Sequence, residues 1–145
     1  MRAIFEGTQG KVVCGRLEKG DILPDVLLDV CRQKGIRAGW LLAMGAVSKL
    51  AVTAYDQKER KYLEPAEFEG DFEILSLMGN VSLLDGKEFL HLHVSAAEET
   101  ADGVRVAAGH LVSAEVFALE FWIVPVEGVL LERADDDATG LKLWR

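Results

Sequence analysis

The chain has 145 residues, half of them hydrophobic and 28% charged, with a formal net charge of -8. That length fits one domain whose core needs no disulfide staples, and no apolar run approaches the roughly 18 residues of a membrane span. The negative balance opposes nucleic acid, whose binders draw most of their non-specific affinity from cationic surface.

The opening Met1-Arg2-Ala3-Ile4-Phe5-Glu6-Gly7 lacks the apolar stretch and cleavage site of a secretory signal, so a cytoplasmic location is the expectation. Residues 2–6 and 10–19 read as strands separated by a Gly-Thr-Gln-Gly turn. After Gly20-Asp21, the residues Ile22, Leu23, Val26, Leu27, Val30 and Cys31 follow a helical period, with Asp25, Asp29, Arg32 and Gln33 on the other face. With Asp21 as N-cap and Gly35 as a left-handed stop, this predicts one amphipathic helix of about four turns, covering one side of a sheet. Cys14 and Cys31 show no CxxC spacing and are expected to be reduced, buried small hydrophobes.

Strands are expected at 39–47, 50–56, 71–83, 88–96, 103–109, 113–124 and about 128–133, with an edge strand at 61–68 broken by Pro65. Gly79-Asn80, Asp85-Gly86 and Asp102-Gly103 punctuate them. The tail predicts a polar turn at 135–140, with Leu141, Leu143 and Trp144 docking back onto the body. The basic residues Lys49, Lys58, Arg60 and Lys61 read as solvated loop charges. The whole is α+β: a mostly antiparallel sheet with one main helix packed on it, in a single domain over residues 1–145.

All three histidines lie between positions 91 and 110. In Phe89-Leu90-His91-Leu92-His93-Val94 the alternation sends His91 and His93 to one face and Leu90, Leu92 and Val94 to the core. A hairpin through Asp102-Gly103 would return His110 beside them, and Gly109 would permit close backbone approach. Three neutral imidazoles suit a divalent metal, zinc first and also iron, nickel or copper, and leave a coordination position open for water or a small molecule. The alternative is three hydrogen-bonded strand histidines without a metal. Groups placed to support the ligands are Asn80, Ser82, Ser95 and Glu120. Glu120 is a carboxylate inside the apolar strand Val116 to Val124, so it should pair with a cation such as Arg16, meet an imidazole N–H, or reach solvent. That strand, with Phe117, Phe121 and Trp122, suits either burial between subunits or burial on both faces within one.

His91-Leu92-His93 followed by Glu98 imitates the HxHx4E spacing of the cupins, but Ala96-Ala97-Glu98-Glu99-Thr100-Ala101 reads as a loop and the second cupin motif is missing. The better match is the PPC (plant and prokaryote conserved) domain family, which the chain resembles over nearly its whole length. The resembling pieces are Arg16-Leu17-Glu18-Lys19-Gly20-Asp21, Ala43-Met44-Gly45-Ala46-Val47 and Tyr55-Asp56, then the run from Phe72 to Val81. His91-Leu92-His93-Val94-Ser95, Gly109-His110-Leu111, Glu120 and Thr139-Gly140-Leu141 complete them. The resemblance implies a homotrimer with a metal held by histidines that map onto His91, His93 and His110. Family members usually carry a second glycine where this chain has Ala108. Plant relatives bind DNA, but through Arg-Gly-Arg-Pro segments, and this sequence has none.

The leading expectation is therefore a metal-binding homotrimer that acts on or senses a small molecule, with no reaction fixed by further acid–base motifs. The alternatives are DNA binding by family analogy, and a structural oligomerisation module.

Overall fold

The computed structural model describes residues 3–145. In chain order it forms β1 (Thr8–Gln9), β2 (Val13–Leu17), β3 (Ile22–Leu23), α1 (Asp25–Lys34), β4 (Gly39–Thr53), β5 (Tyr55–Asp56) and β6 (Lys61–Tyr62). β7 (Ala66–Leu84), β8 (Lys87–Thr100), β9 (Gly103–Glu127), β10 (Glu132–Asp135) and β11 (Lys142–Trp144) follow. Nine of the strands share one sheet, and β5 and β6 form a separate hairpin. All pairings are antiparallel except that of β10 with β7.

The sheet curls into a barrel because β9 is shared. Its first part, from Gly103 to His110, pairs with β8, and from His110 onward it pairs with β4. β4 pairs with β7 and β7 with β8, which completes the circuit. Register shifts at Ala43/Gly45, Val47/Lys49 and Ala51/Val52 bend the long strands, as bulges do where a sheet closes. Inside sit Leu41, Phe72, Leu77, Val81, Leu92, Val116, Leu119 and Ile123. Leu23, Leu27 and Cys31 add the helix side of the same core. Among the described residues no helix is long and apolar enough to cross a membrane.

Several expectations shift. Met1 and Arg2 lie outside the described residues; Ala3–Gly7 are not strand, and β1 occupies the expected turn. The helix is ten residues, not four turns, because Ile22 and Leu23 pair with β9 instead. Its N-cap is Pro24, while the Asp21 carboxylate accepts the backbone N–H of Glu18 at 2.8 Å and closes the preceding turn. Gly35 does stop the helix, at φ 65°. Segments 39–47 and 50–56 merge largely into β4, and 103–109 and 113–124 merge into β9. The last strand begins at Glu132, later than expected, and β11 docks the tail by pairing Trp144 with Arg133. Both cysteines are free, but only Cys31 is buried, and burial pushes its thiol up to about 11; Cys14 is exposed.

Candidate metal centre

Alternation along β8 does what the pattern predicts: Leu90, Leu92 and Val94 are buried, while His91 and His93 project from the outer face. The hairpin after Thr100 then sets His110 of β9 directly opposite His93. Two glycines let the strands come this close. A methyl on Gly79 would press into the carbonyl oxygen of His91, and Gly109 has φ +156° with no room toward Thr53.

The three rings face one another. Centroids of His93 and His110 lie 4.2 Å apart, and those of His91 and each of the others 5.0 Å. His91 Nε2 stands 3.0 Å from His110 Nδ1. One nitrogen from each ring falls within 4.8 Å of the others, so modest side-chain rotation would reach the spacing of about 3.3 Å that tetrahedral Zn–N bonds of about 2.0–2.1 Å set. Burial first, then Arg133 and the other two imidazoles, pushes His91 down to about 4. Burial and His93 also lower His110. The shifts favour the neutral form of His91 and His110, the state a metal ligand requires. The donor set fits a divalent ion of zinc type.

The supporting groups divide. Asn80 sits opposite His91, yet its Oδ1 accepts from Arg133 Nη2 at 2.8 Å, and the fully buried Ser82 Oγ accepts from Arg133 Nε at 2.8 Å. Both therefore act on Arg133 rather than on an imidazole. Ser95, two residues beyond His93, makes no hydrogen bond to the rings among the described residues. Glu120 is exposed, and Arg16 lies opposite it in register, but the Arg16 guanidinium approaches Glu18 at 3.5 Å. Glu120 takes the solvent option. Strands β7 and β4 separate that part of β9 from His93, three strand spacings or about 14 Å, so neither Glu120 nor Arg16 reaches the cluster. Glu98, expected in a loop, lies in β8, where it accepts Asp71 N–H at 2.8 Å and binds Arg105.

Arg133 is the residue sequence reasoning missed. It is 9% exposed. Besides Asn80 and Ser82 it donates to the Lys142 carbonyl at 2.8 Å, and its guanidinium lies 5.2 Å from the Phe89 ring and 5.9 Å from the Trp144 ring. A usable signal existed: Asn80 and Ser82 place two polar groups on one face of the apolar stretch from Leu77 to Leu84, and such a pair calls for a donor. On the other side Tyr62 stacks edge-on against His110 at 5.3 Å, and Tyr55 donates to the Thr139 carbonyl at 2.9 Å, tying the β5–β6 hairpin to the tail.

The outer face also settles one open expectation for the strand Val116 to Val124. Val116, Leu119, Phe121 and Ile123 point inward, but Phe117 and Trp122 are exposed, so it is not buried on both faces within one subunit. Trp40, Met44 and Met78 extend this apolar surface up to His93.

A family model described as the Plants and Prokaryotes Conserved (PCC) domain matches residues 4–127. Among solved structures, the chain is similar to a metal-containing protein from Archaeoglobus fulgidus, with 40% identity, 99% of each chain covered and a TM-score of 0.92. It is similar to a plant- and prokaryote-conserved (PPC) protein from Pyrococcus horikoshii at 29% identity, covering 99% of this chain and 97% of that one, with a TM-score of 0.88. A candidate DNA-binding protein from Bacteroides thetaiotaomicron shares the fold at 24% identity, 96% coverage of each chain and a TM-score of 0.81. No curated protein matches the chain.

Proposed function

The chain belongs to the Plants and Prokaryotes Conserved (PCC) domain family, and we propose that it is a homotrimeric metal-binding domain in which His91, His93 and His110 hold one divalent ion, zinc first. The observation that carries this is the convergence of three imidazole nitrogens within 4.8 Å, two of the rings held neutral by burial. The 40%-identical structure described as metal-containing supports it. Three protein ligands leave a coordination position for a small molecule, where a bound zinc would supply Lewis acidity. The residues themselves orient that position: Asn80 and Ser82 fix Arg133 beside His91, and Tyr62 shields His110.

The outer face supports the proposed assembly. Trp40, Met44, Met78 and Trp122 are 40–55% exposed together on neighbouring strands, and contiguous exposed apolar surface marks an interaction site. A second copy of the same chain is the proposed partner. Protein purified without chelator carries about one metal per chain, and the His91→Ala, His93→Ala double variant carries none; unchanged metal content in that variant ends the reading. Light scattering gives three times the 15.9 kDa chain mass, and a monomer at micromolar concentration contradicts the trimer. DNA binding rests on the descriptions of two relatives under 25% identical, from Bacteroides thetaiotaomicron and Ralstonia eutropha, against a net charge of -8. It predicts retardation of AT-rich duplex at low salt, and an unshifted duplex removes it.

A further inference from the structure

Arg133 is a cation buried against the candidate metal site without a counter-ion. Among the described residues no carboxylate lies within ion-pair distance of it. Acids that follow it on the tail are engaged elsewhere, Asp135 with Lys142 at 2.9 Å and Asp136 with Thr139 at 2.7 Å. All three of its acceptors, Asn80 Oδ1, Ser82 Oγ and the Lys142 carbonyl, are neutral. They occupy three of the five N–H donors that a guanidinium carries. A buried charge left in that condition is unfavourable unless something pairs with it.

Arg133, His91 and His110 share the wall of one cavity of about 350 Å³. Its remaining wall is of two kinds. Arg60, Lys61 and Lys142 add positive charge, against one acid, Asp135; the rest, including Tyr55, Tyr62 and Phe89, is mainly aromatic or apolar. In a chain of net charge -8 this is a local reversal of sign. Next to Arg133, the Trp144 indole N–H is also buried without an acceptor. A metal at the histidines would add two further positive charges to the same wall. Such a cavity favours an anionic head on the metal and Arg133, and an apolar body against the rings.

We propose that this cavity binds a small carboxylate with an apolar body, its carboxyl group shared between Arg133 and the metal's open position. This deepens the metal reading above and rests on it for the second contact only. Asn80 and Ser82 are positioning residues, since they set the guanidinium rather than touch the ligand. The guanidinium also packs over the Phe89 and Trp144 rings.

The test is calorimetric titration of the cobalt-loaded, full-length protein with benzoate, and with benzamide as its neutral counterpart. Benzoate binds once per chain, benzamide at least tenfold more weakly, and acetate more weakly than benzoate. Arg133→Met lowers benzoate affinity at least tenfold, the scale of a charge-assisted hydrogen bond, while cobalt content stays at about one per chain. Should Arg133→Met not fold, Asn80→Ala, which removes one of the three acceptors, weakens benzoate about threefold or more. Equal binding of benzoate and benzamide, or benzoate binding indifferent to whichever variant folds, overturns the proposal. A native chain that takes up no cobalt ends the metal reading instead. Benzoate titration of that metal-free chain then decides the Arg133 site: Arg133-dependent binding upholds it, and its absence overturns it.

Discussion

Replacing Gly109 by alanine tests how the fold sets the third imidazole in place. A Cβ built there stands 2.6 Å from the Thr53 carbonyl oxygen and 3.3 Å from Val52 Cβ, whereas real Cβ contacts essentially never fall under 3.0 Å. The obstructing atom is backbone of β4, where Thr53 is paired with His110 and the preceding Val52 with strands on both sides, so it cannot swing away as a side chain would. The φ of +156° adds strain for any residue with a Cβ. Overpacking typically costs about 1–3 kcal/mol and an unfavourable φ about 1–3 kcal/mol. One backbone shift relieves part of both, so Gly109→Ala is expected to cost about 2–4 kcal/mol, or roughly 5–15 °C in melting temperature for a chain of this size. The same shift moves His110, the next residue, so zinc affinity falls about tenfold or more, as when the orientation of a metal ligand is disturbed. The neighbouring exposed Ala108→Gly is the control, expected to lose only about 0.5–1 kcal/mol and to leave zinc affinity alone. Urea unfolding gives the first number and competition with a chromophoric chelator the second. A Gly109→Ala protein within 0.5 kcal/mol (roughly the scatter of a neutral surface change) and with native zinc affinity would falsify the close-approach argument.

Two further outcomes follow from the electrostatics and the surface. In chelator-treated protein His91 titrates at about 4 instead of 6.5. The unfolded chain therefore binds the extra proton between those values, and stability declines as pH falls from 6.5 to 4. At about 1.36 kcal/mol per unit the shift corresponds to about 3 kcal/mol, which solvent reaching a partly exposed ring reduces to roughly 1–2 kcal/mol. Urea midpoints measured across that range should drop in native protein and flatten in His91→Gln, and identical slopes would refute the assignment. On the apolar face, Met44→Glu places a charge where the side chain is already 55% exposed in the single subunit. The isolated chain should fold normally while its mass by light scattering drops to that of a monomer; an unchanged trimer would place the interface elsewhere.

The histidine cluster was legible because it rests on local rules: alternation along one strand, and a return through Asp102-Gly103 that lands His110 opposite His93. The helix start was less so, although Pro24 carried the signal. A residue before proline is pushed out of the helical region, which keeps Leu23 extended in β3. Strand ends were misplaced for another reason. β7 and β9 run for 19 and 25 residues, far beyond the usual five or six. Gly79-Asn80 therefore lies inside a strand, with Gly79 a point of close approach where composition suggested a turn, while Gly109 makes the close approach expected of it. Glu98 and Glu99 looked like loop residues because nothing local shows that Arg105 will arrive opposite Glu98. Asn80 and Ser82 signal that a donor is needed but not which one, because Arg133 lies 53 and 51 positions away from them.

The placement of the three rings outside the barrel explains why the two sides of the cluster differ. Inward positions on β8 are taken by Leu90, Leu92 and Val94, so imidazoles on that strand must face outward. A cluster on an outer face stays dry only where something else covers it. Toward Arg133 the cover comes from the chain itself, since β11 brings Trp144 and the β5–β6 hairpin brings Tyr62 to join Phe89 of β8 around the guanidinium and His110. Toward Met78 there is no such cover, and His93 is the exposed member of the three. A small ligand is thus best received on the Arg133 side, where charge and an enclosed wall coincide. A second copy of the chain is best received on the His93 side, where the apolar surface begins. The two proposals use opposite flanks of one cluster, so Met44→Glu should leave benzoate binding by the monomer intact, and Arg133→Met should leave the oligomer intact.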